Sequence, residues 1–515
     1  MQTFHFIFTS DTHGHVFPSD YALHRPDSHC LANLARSIEK DGNTLVLDGG
    51  DSLQGTPLLQ YYLAHRADYA IHPVAAAFNA MQLDYFTLGN HDFNFGYDAL
   101  REYLCALHAQ CLCANVEDLG GELPLARTAI HTLENGLRIG LAGVVTDWVN
   151  VWEQPENLKK LRVTDTFTAA KAALEELRGR CDLTVLLYHG GFEEDVHTGQ
   201  LLSDSGENIA CRIARELDYD LLLTGHQHIP EEGLRIGHSW AAQTPANVGA
   251  CIEGTAERLE SANAEEAVST VTWQFTSALK EPGPQAVEAL CAKLQPLEDA
   301  TQQWLDQVVC SVEEAVPPEE KLDAALHGSR VAALFNAVQM QATGAELSCT
   351  SLTNSALGIP KELTMRNILT LCPFSNTLVV LEVTPEILRQ ALERCAEYYE
   401  LKDGEPQISE RFLKPKVEHY NYDFYAGISY SFDLRKPVGE RVVRLEKADG
   451  TPLEDRSYTL CVTNYRATGT GGYAMLHHCP VLQHGADDVV DLLTRYLKGQ
   501  QALSVPAATD LQILY

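Results

Sequence analysis

The strongest constraint on this chain is a pattern that recurs five times in its first half. A short apolar run stops abruptly on a cluster of acidic, imidazole and amide side chains. The runs are FHFIFTSDTHGH, TLVLDGGDS, DYFTLGNHDF, LTVLLYHGG and YDLLLTGHQH. Each apolar run is too short for a typical helix and is bounded by Gly or Asp, which predicts a buried strand. Between them, CLANLARSIEK and TAAKAALEELRGR carry helical spacing. Strands alternating with helices predict an α/β domain built on central sheets. In such folds functional groups collect at the carboxyl ends of strands, and every polar cluster falls there.

The side chains gathered in this way are Asp11 and His13, Asp51, Asn90 and His91, His189, and His226 with His228. Oxygen and imidazole donors of this kind suit divalent Mn, Fe or Zn. A pair of such ions about 3.5–4 Å apart can grip a phosphoryl oxygen and generate a nucleophile from water. No single cluster is specific. A DxH pair at a strand end is commonly a turn, GNHD alone could be an ordinary Asn/Asp turn, and a lone His189 reads as a satisfied core or surface histidine. GHxH is stronger, because two imidazoles two residues apart on extended chain point the same way. The inference rests on all five clusters occurring in the same kind of place.

Size and charge narrow the setting. With 515 residues the chain predicts two domains, each of about 200–300 residues. Hydrophobic residues at 45% and charged residues at 21% predict a globular protein. A polar, proline-containing stretch near Lys280–Pro284 is followed by helix-like sequence from Gln285 to Val309, which reads as a linker helix. From about residue 326 a second domain is expected, with helix-like HGSRVAALFNAVQMQATG and TPEILRQALERCAEYYE and strand-like GISYSFDL, RVVRLEKADG and SYTLCVTNYR. A net charge of −32 argues against a nucleic acid polymer or an anionic membrane as partner. A small anionic substrate remains compatible, because bound cations reverse the field locally. No run is long and apolar enough to span a membrane. MQTFHFIFTSDTHGH lacks the basic start and cleavage site of a secretory signal. The 14 cysteines include no CxxC and sit largely in apolar segments such as CLCANV. They read as buried thiols of a reducing, cytoplasmic protein. Nothing in the sequence indicates an oligomeric state.

The series DTHGH, GDSLQG, GNHDF, YHGG and GHQH resembles the calcineurin-like metallophosphoesterases. IHPVAAAFNAMQLDYFTLGNHDFNFG and VTNYRATGTGGYAML extend the resemblance to the 5'-nucleotidase family within them. The resemblance implies a four-layer α/β/β/α metallophosphoesterase domain over residues 1–280, a linker helix over 281–325 and an α+β nucleotide-binding domain over 326–515. It also implies two divalent ions. Asp11, His13 and His228 would hold the first, Asn90, His189 and His226 the second, and Asp51 would bridge. His91 would stabilise the phosphoryl group and protonate the leaving oxygen. The second domain would stack a nucleobase between Tyr422 and Tyr473, with Tyr420 or Phe424 as substitutes for the first ring and Gly469, Gly471 and Gly472 shaping the loop.

Three departures from the family pattern bear on specificity. Its 5'-nucleotidases carry an Asp three residues after the catalytic His, where this chain has Asn94. An amide can orient an imidazole but cannot offset its charge, and the Asn form resembles the branch acting on 2',3'-cyclic nucleotides and 3'-nucleotides. The loop TNSALGIPKELTM lacks the phosphate-gripping Arg, and neither Arg330 nor Arg366 can be assigned in its place. The Asp of the usual GGDGF loop is Gly471. These features predict a small nucleotide as substrate, with cyclic and 3' forms ahead of 5'. A 5'-nucleotidase or UDP-sugar hydrolase, a nuclease or protein phosphatase on the same scaffold, and a non-catalytic nucleotide- or metal-binding protein are the alternatives. In VTDWVNVWEQPENL, Trp148 and Trp152 read as packing residues more than as pocket walls.

Overall fold

Phe4, Phe6 and Phe8 recur at every second position of the first strand and are all buried. That alternation presses one face of the strand into a core. The structure is a computed structural model that describes residues 2–202, 205–262, 269–373, 376–414 and 416–515. It divides into two compact units, Met1–Gln302 and Gln303–Tyr515.

Five strands of the first unit carry the polar clusters: Thr3–Thr9 (β1), Thr44–Asp48 (β2), Tyr85–Phe86 (β3), Leu183–His189 (β4) and Leu221–Thr224 (β5). β1, β2 and β3 are parallel neighbours in a seven-stranded sheet. β4 and β5 are parallel neighbours in a six-stranded sheet. Phe4, Phe6, Phe8, Leu45 and Leu47 of the first sheet share a core with Leu141, Val185, Leu187, Leu221 and Leu223 of the second. The other face of the second sheet packs on the helices Thr166–Leu177 and Ala210–Glu216 through Ala170, Leu174, Ile213 and Tyr188. On the first sheet Ile7 and Val46, which point away from the shared core, are buried as well. The helices Leu31–Ser37, Pro73–Ala80 and Gly96–Ala106 follow its strands and pack on one another. This is the layered α/β arrangement of helices, two sheets and helices.

β3 is the shortest of the five. The chain leaves it at Thr87 and passes through Gly89 into a 3-10 turn, Asn90–Phe93. The expected linker is a helix, Glu288–Leu305 (α1). Its N-terminal part belongs to the first unit: Tyr21 donates to Glu298 at 2.7 Å and the Val287 amide to the Ala32 carbonyl at 3.0 Å. The second unit begins earlier than the sequence suggests. Strands Val308–Ser311 and Val316–Glu319 pair with Glu362–Thr364 and Leu357–Ile359, so pairing draws them into it.

The second unit is built on a five-stranded mixed sheet, with Leu347–Ser351 and Tyr458–Thr463 near its centre. The helix Arg330–Thr343 (α2) packs on it, capped by Ser329 at one end and by left-handed Gly344 at the other. A three-stranded sheet brings in the C-terminal strand Leu511–Leu514. Among the described residues, no helix is long and apolar enough to cross a membrane.

Candidate metal centre and active site

Each cluster begins where its strand ends, and the backbone there takes an unusual shape. Asp11, His13, Asp51, His226 and His228 all have φ between +47° and +72°. Left-handed backbone is unfavourable for a residue with a side chain, and it persists where the surroundings hold it. Backbone bonds do the holding: Asp11 N–H donates to Gly50 O at 2.8 Å and His13 N–H to Asp51 O at 2.9 Å. The His226 amide donates to the Asp11 carboxylate at 3.0 Å, and the His91 amide to Asp51 Oδ1 at 2.7 Å. Two glycines make room for this. A Cβ on Gly89 would lie 2.1 Å from Asp51 Oδ1, and one on Gly225 would lie 2.6 Å from Asp11 Oδ2.

Two donor groups result. Asp11, His13 and His228 converge, as do Asp51, His189 and His226, with the ligand atoms of each triad within 4.8 Å of one another. In the first, His13 Nε2 lies 3.2 Å from His228 Nε2, which is 3.2 Å from Asp11 Oδ1. In the second, His189 Nε2 lies 3.2 Å from Asp51 Oδ2 and 3.1 Å from Asn90 Oδ1, and His226 Nδ1 lies 2.9 Å from the same amide oxygen. The structure therefore brings Asn90 to the second group. His13 and His189 each donate Nδ1–H to a backbone carbonyl, Gln54 at 3.0 Å and Gly49 at 2.8 Å, which leaves Nε2 as the inward atom. Imidazole nitrogens and carboxylate oxygens crowded this closely in a buried pocket fit a divalent cation.

Imidazole and carboxylate groups also face one another across the site. Burial, aided by the neighbouring His228, pushes the His13 imidazole down to about 3. Burial opposes charge on His189, but Asp51 beside it prevails and holds the imidazolium up to about 10. Burial also works against the Asp11 and Asp51 carboxylates, yet the surrounding histidines hold both below the usual range.

His91 sits beside the first triad, its ring centroid 5.7 Å from that of His13. Its Nδ1 lies 2.8 Å from Asn94 Oδ1, so both residues expected to share the catalytic role are in contact. Several neighbours carry no signal in the sequence. The buried Asp92 carboxylate accepts four backbone amides, from Gly89, Asp51, Ser52 and Leu53, at 2.7–3.0 Å. It thereby ties the GNHD turn to the GDS loop, and burial with the nearby Asp51 pushes it up to about 6. Glu207 Oε1 lies 2.9 Å from His226 Nε2. Glu153 accepts from Asn94 Nδ2 at 2.7 Å. Trp152 packs, as expected, against Trp148, but it also stacks on the His226 ring with centroids 5.3 Å apart. It is therefore part of the site.

Comparison with known proteins agrees with this geometry. Residues 4–230 match the family model described as calcineurin-like phosphoesterase, and residues 312–478 match the 5'-nucleotidase C-terminal domain. The chain joins a calcineurin-like phosphoesterase domain to a 5'-nucleotidase C-terminal domain. Its activity class is metal-dependent hydrolysis of phosphoric esters. It is 24% identical to the trifunctional nucleotide phosphoesterase protein of Bacillus subtilis over 98% of its own length, but covers only 38% of that protein. It is 24% identical to the 2',3'-cyclic-nucleotide 2'-phosphodiesterase/3'-nucleotidase of Haemophilus influenzae, covering 96% of this chain and 84% of that one. A crystal structure of a provisionally assigned 5'-nucleotidase from Staphylococcus aureus is 28% identical and covers both chains completely, with a TM-score of 0.87.

The expected stacking residues lie in the interior of the 5'-nucleotidase C-terminal domain. Tyr422 and Tyr473 are 2% and 0% exposed. Tyr422 packs among Tyr398, Tyr399 and Phe424, and its hydroxyl lies 2.9 Å from that of Tyr399. The Tyr473 ring lies under two guanidinium groups, Arg466 at 4.1 Å and Arg394 at 5.7 Å. Cation–π contact and burial thus engage the ring without a ligand. Arg466 is fixed in turn by the buried Asp423 at 2.9 Å. Gly469, Gly471 and Gly472 all have φ between +76° and +88°. A Cβ on Gly471 would lie 2.1 Å from Asn421 Oδ1, and one on Gly472 2.3 Å from Arg394 Nε, so close packing also explains these two. Phe424 is buried too, and Tyr420 is the candidate ring that stays partly open. Arg366 and Arg330 pair with Asp306 at 2.5 Å and Glu314 at 3.7 Å.

Proposed function

We propose that this phosphoesterase hydrolyses nucleotide phosphoesters and favours 2',3'-cyclic nucleotides and 3'-nucleotides over 5'-nucleotides. The observation that carries the reading is the convergence of two donor triads next to His91. Divalent ions bound there, with Mn, Zn or Fe best suited to the donors, would supply Lewis acidity and lower the pKa of water. Asp11, His13 and His228 are assigned to one ion, Asn90, His189 and His226 to the other, and Asp51 to both. The acid–base work falls to His91. Its Nδ1 is occupied by Asn94, which leaves Nε2 to face the substrate. As water attacks phosphorus and the bond from phosphorus to the sugar oxygen breaks, the electron pair goes to that oxygen and Nε2 gives it a proton. Trp152 bounds the site beside His226.

A nucleotide as substrate is supported by the relatives named for such activities. The cyclic and 3' preference is supported by Asn94 and by the absence of an Arg in TNSALGIPKELTM. A dianionic terminal phosphate loses more from that absence than a singly charged cyclic diester does. Of the second reading, a 5'-nucleotidase or UDP-sugar hydrolase, the 5'-nucleotidase form is favoured by the full-length likeness to the Staphylococcus aureus structure.

A hydrolysis panel with Mn²⁺ added and EDTA as control tests both. It contains 2',3'-cAMP, 3'-AMP, 5'-AMP, UDP-glucose and bis-p-nitrophenyl phosphate. Metal-dependent cleavage led by the first two supports the proposal. Cleavage chiefly of 5'-AMP or UDP-glucose moves the second reading ahead, and ion binding without any hydrolysis leaves a binding protein.

A further inference from the structure

The family pattern places a carboxylate against the catalytic histidine, and this chain has an amide there. The structure shows what stands behind that amide. Asn94 Oδ1 lies 2.8 Å from His91 Nδ1, and Asn94 Nδ2 donates to Glu153 Oε2 at 2.7 Å. Glu153 follows the short helix Val149–Trp152, and its Oε1 accepts from Asn157 Nδ2 at 2.9 Å and the Gln154 amide at 2.7 Å. Asn157 Nδ2 also donates to the Asn94 carbonyl at 3.0 Å, so one side chain braces both residues.

An asparagine has two unlike ends, and nothing in its shape decides which faces an imidazole. We infer that Glu153 is a positioning residue for His91, acting through Asn94. An ionised carboxylate only accepts, and here every partner of Glu153 is a donor. It therefore draws the NH₂ end of Asn94 to itself and turns the oxygen end toward His91. An oxygen there accepts Nδ1–H, both before and after Nε2 gives up its proton. A reversed amide would set N–H against the Nδ1–H of the doubly protonated ring and disfavour that form, the one that gives up a proton from Nε2 and is left neutral. The usual dyad is thus replaced by a chain of three, with the carboxylate one residue farther out. The inference rests on His91 as the acid of the proposed reaction.

Kinetics on two substrates test it in Mn²⁺-loaded protein. With 3'-AMP the leaving sugar oxygen needs a proton, whereas bis-p-nitrophenyl phosphate releases a stable phenolate that does not. Glu153→Ala is expected to lower kcat on 3'-AMP by about tenfold, with KM little changed and bis-p-nitrophenyl phosphate little affected. The double variant Asn94→Asp with Glu153→Ala should recover to within about threefold of the parent, because a carboxylate offers oxygen in either orientation. In Zn²⁺-loaded protein, ¹⁵N shifts of His91 should show Nδ1 protonated in the parent and mixed occupancy in Glu153→Ala. Equal slowing of both substrates, no slowing of either, or failure of the double variant to recover would overturn the inference and leave Glu153 a loop brace. His91→Ala separates the two ideas. If it leaves 3'-AMP turnover intact, the reading of His91 fails; if it abolishes turnover while Glu153→Ala does not, only the positioning inference fails.

Discussion

The first unit holds its functional residues in strained backbone, and the second holds its candidates in saturated packing. At the strand ends of the first unit, Asp11, His13, Asp51, His226 and His228 accept left-handed backbone so that their donors converge. In the second unit Tyr422 and Tyr473 sit in relaxed packing, one among aromatic rings and the other beneath two arginines. Strain without packing benefit marks residues held for a task. Saturated contacts mark residues held for stability. The difference gives each group an opposite response to substitution.

The largest effect should come from His228, whose side chain is 29% exposed and whose φ is +60°. Glycine there relieves about 1 kcal/mol of backbone strain and removes one ligand. Activity with Mn²⁺ should fall by about a thousandfold, while Tm measured in EDTA stays level or rises. A fall in Tm with activity retained would place His228 with the packing residues. Tyr473→Ala should behave in reverse. Losing a buried ring costs about 3–5 kcal/mol and leaves Arg394 and Arg466 without it. Calorimetry of the full chain should show a lower transition with metal content unchanged. Tyr473→Phe, which keeps the ring, should cost only about 1 kcal/mol.

Asp92 is where the two patterns meet. It lies inside the site yet accepts four backbone amides. Asp92→Ala strands those donors and should cost about 3 kcal/mol of stability, as well as loosening Asp51 and the metal it is assigned. A variant that loses activity with Tm unchanged would show that the GNHD turn holds its shape without this side chain.

How much of this was readable in the chain follows from the same contrast. The five clusters are legible because a strand end limits where a loop can go, and acidic, amide and imidazole residues there have few other uses. Their positive φ values are not legible, since the sequence carries no backbone angles and only Gly89 and Gly225 hint at close approach. Glu153 and Glu207 are invisible in advance. Each is an ordinary acidic residue in a loop, and its meaning depends on a partner 59 or 19 positions away. The burial of the tyrosines is hidden for a related reason. An aromatic next to a strand has the same letter whether its face is open or covered, and Tyr473 is covered by Arg394 and touches Cys395 of the same helix, 78 positions away. The start of the second unit was likewise hidden, because strand pairing rather than local composition sets it.

The smallest effect tests whether support for the site reaches beyond its ligands. His226 points Nδ1 at Asn90 and Nε2 at Glu207, both at 2.9 Å, while Trp152 stacks on its ring. A carboxylate behind a ligating imidazole fixes which nitrogen carries the proton and makes the other a better donor. Glu207→Gln keeps an oxygen in place but removes the charge, so it should weaken one site by about tenfold rather than abolish it. Calorimetric titration of metal-free protein with Mn²⁺ reads this directly. One of two binding events should weaken while the other, assigned to Asp11, His13 and His228, holds. Equal weakening of both would mean that Glu207 acts on the whole loop. No change would mean that Trp152 alone is enough to hold the ring, and the site would then depend on packing much as the second unit does.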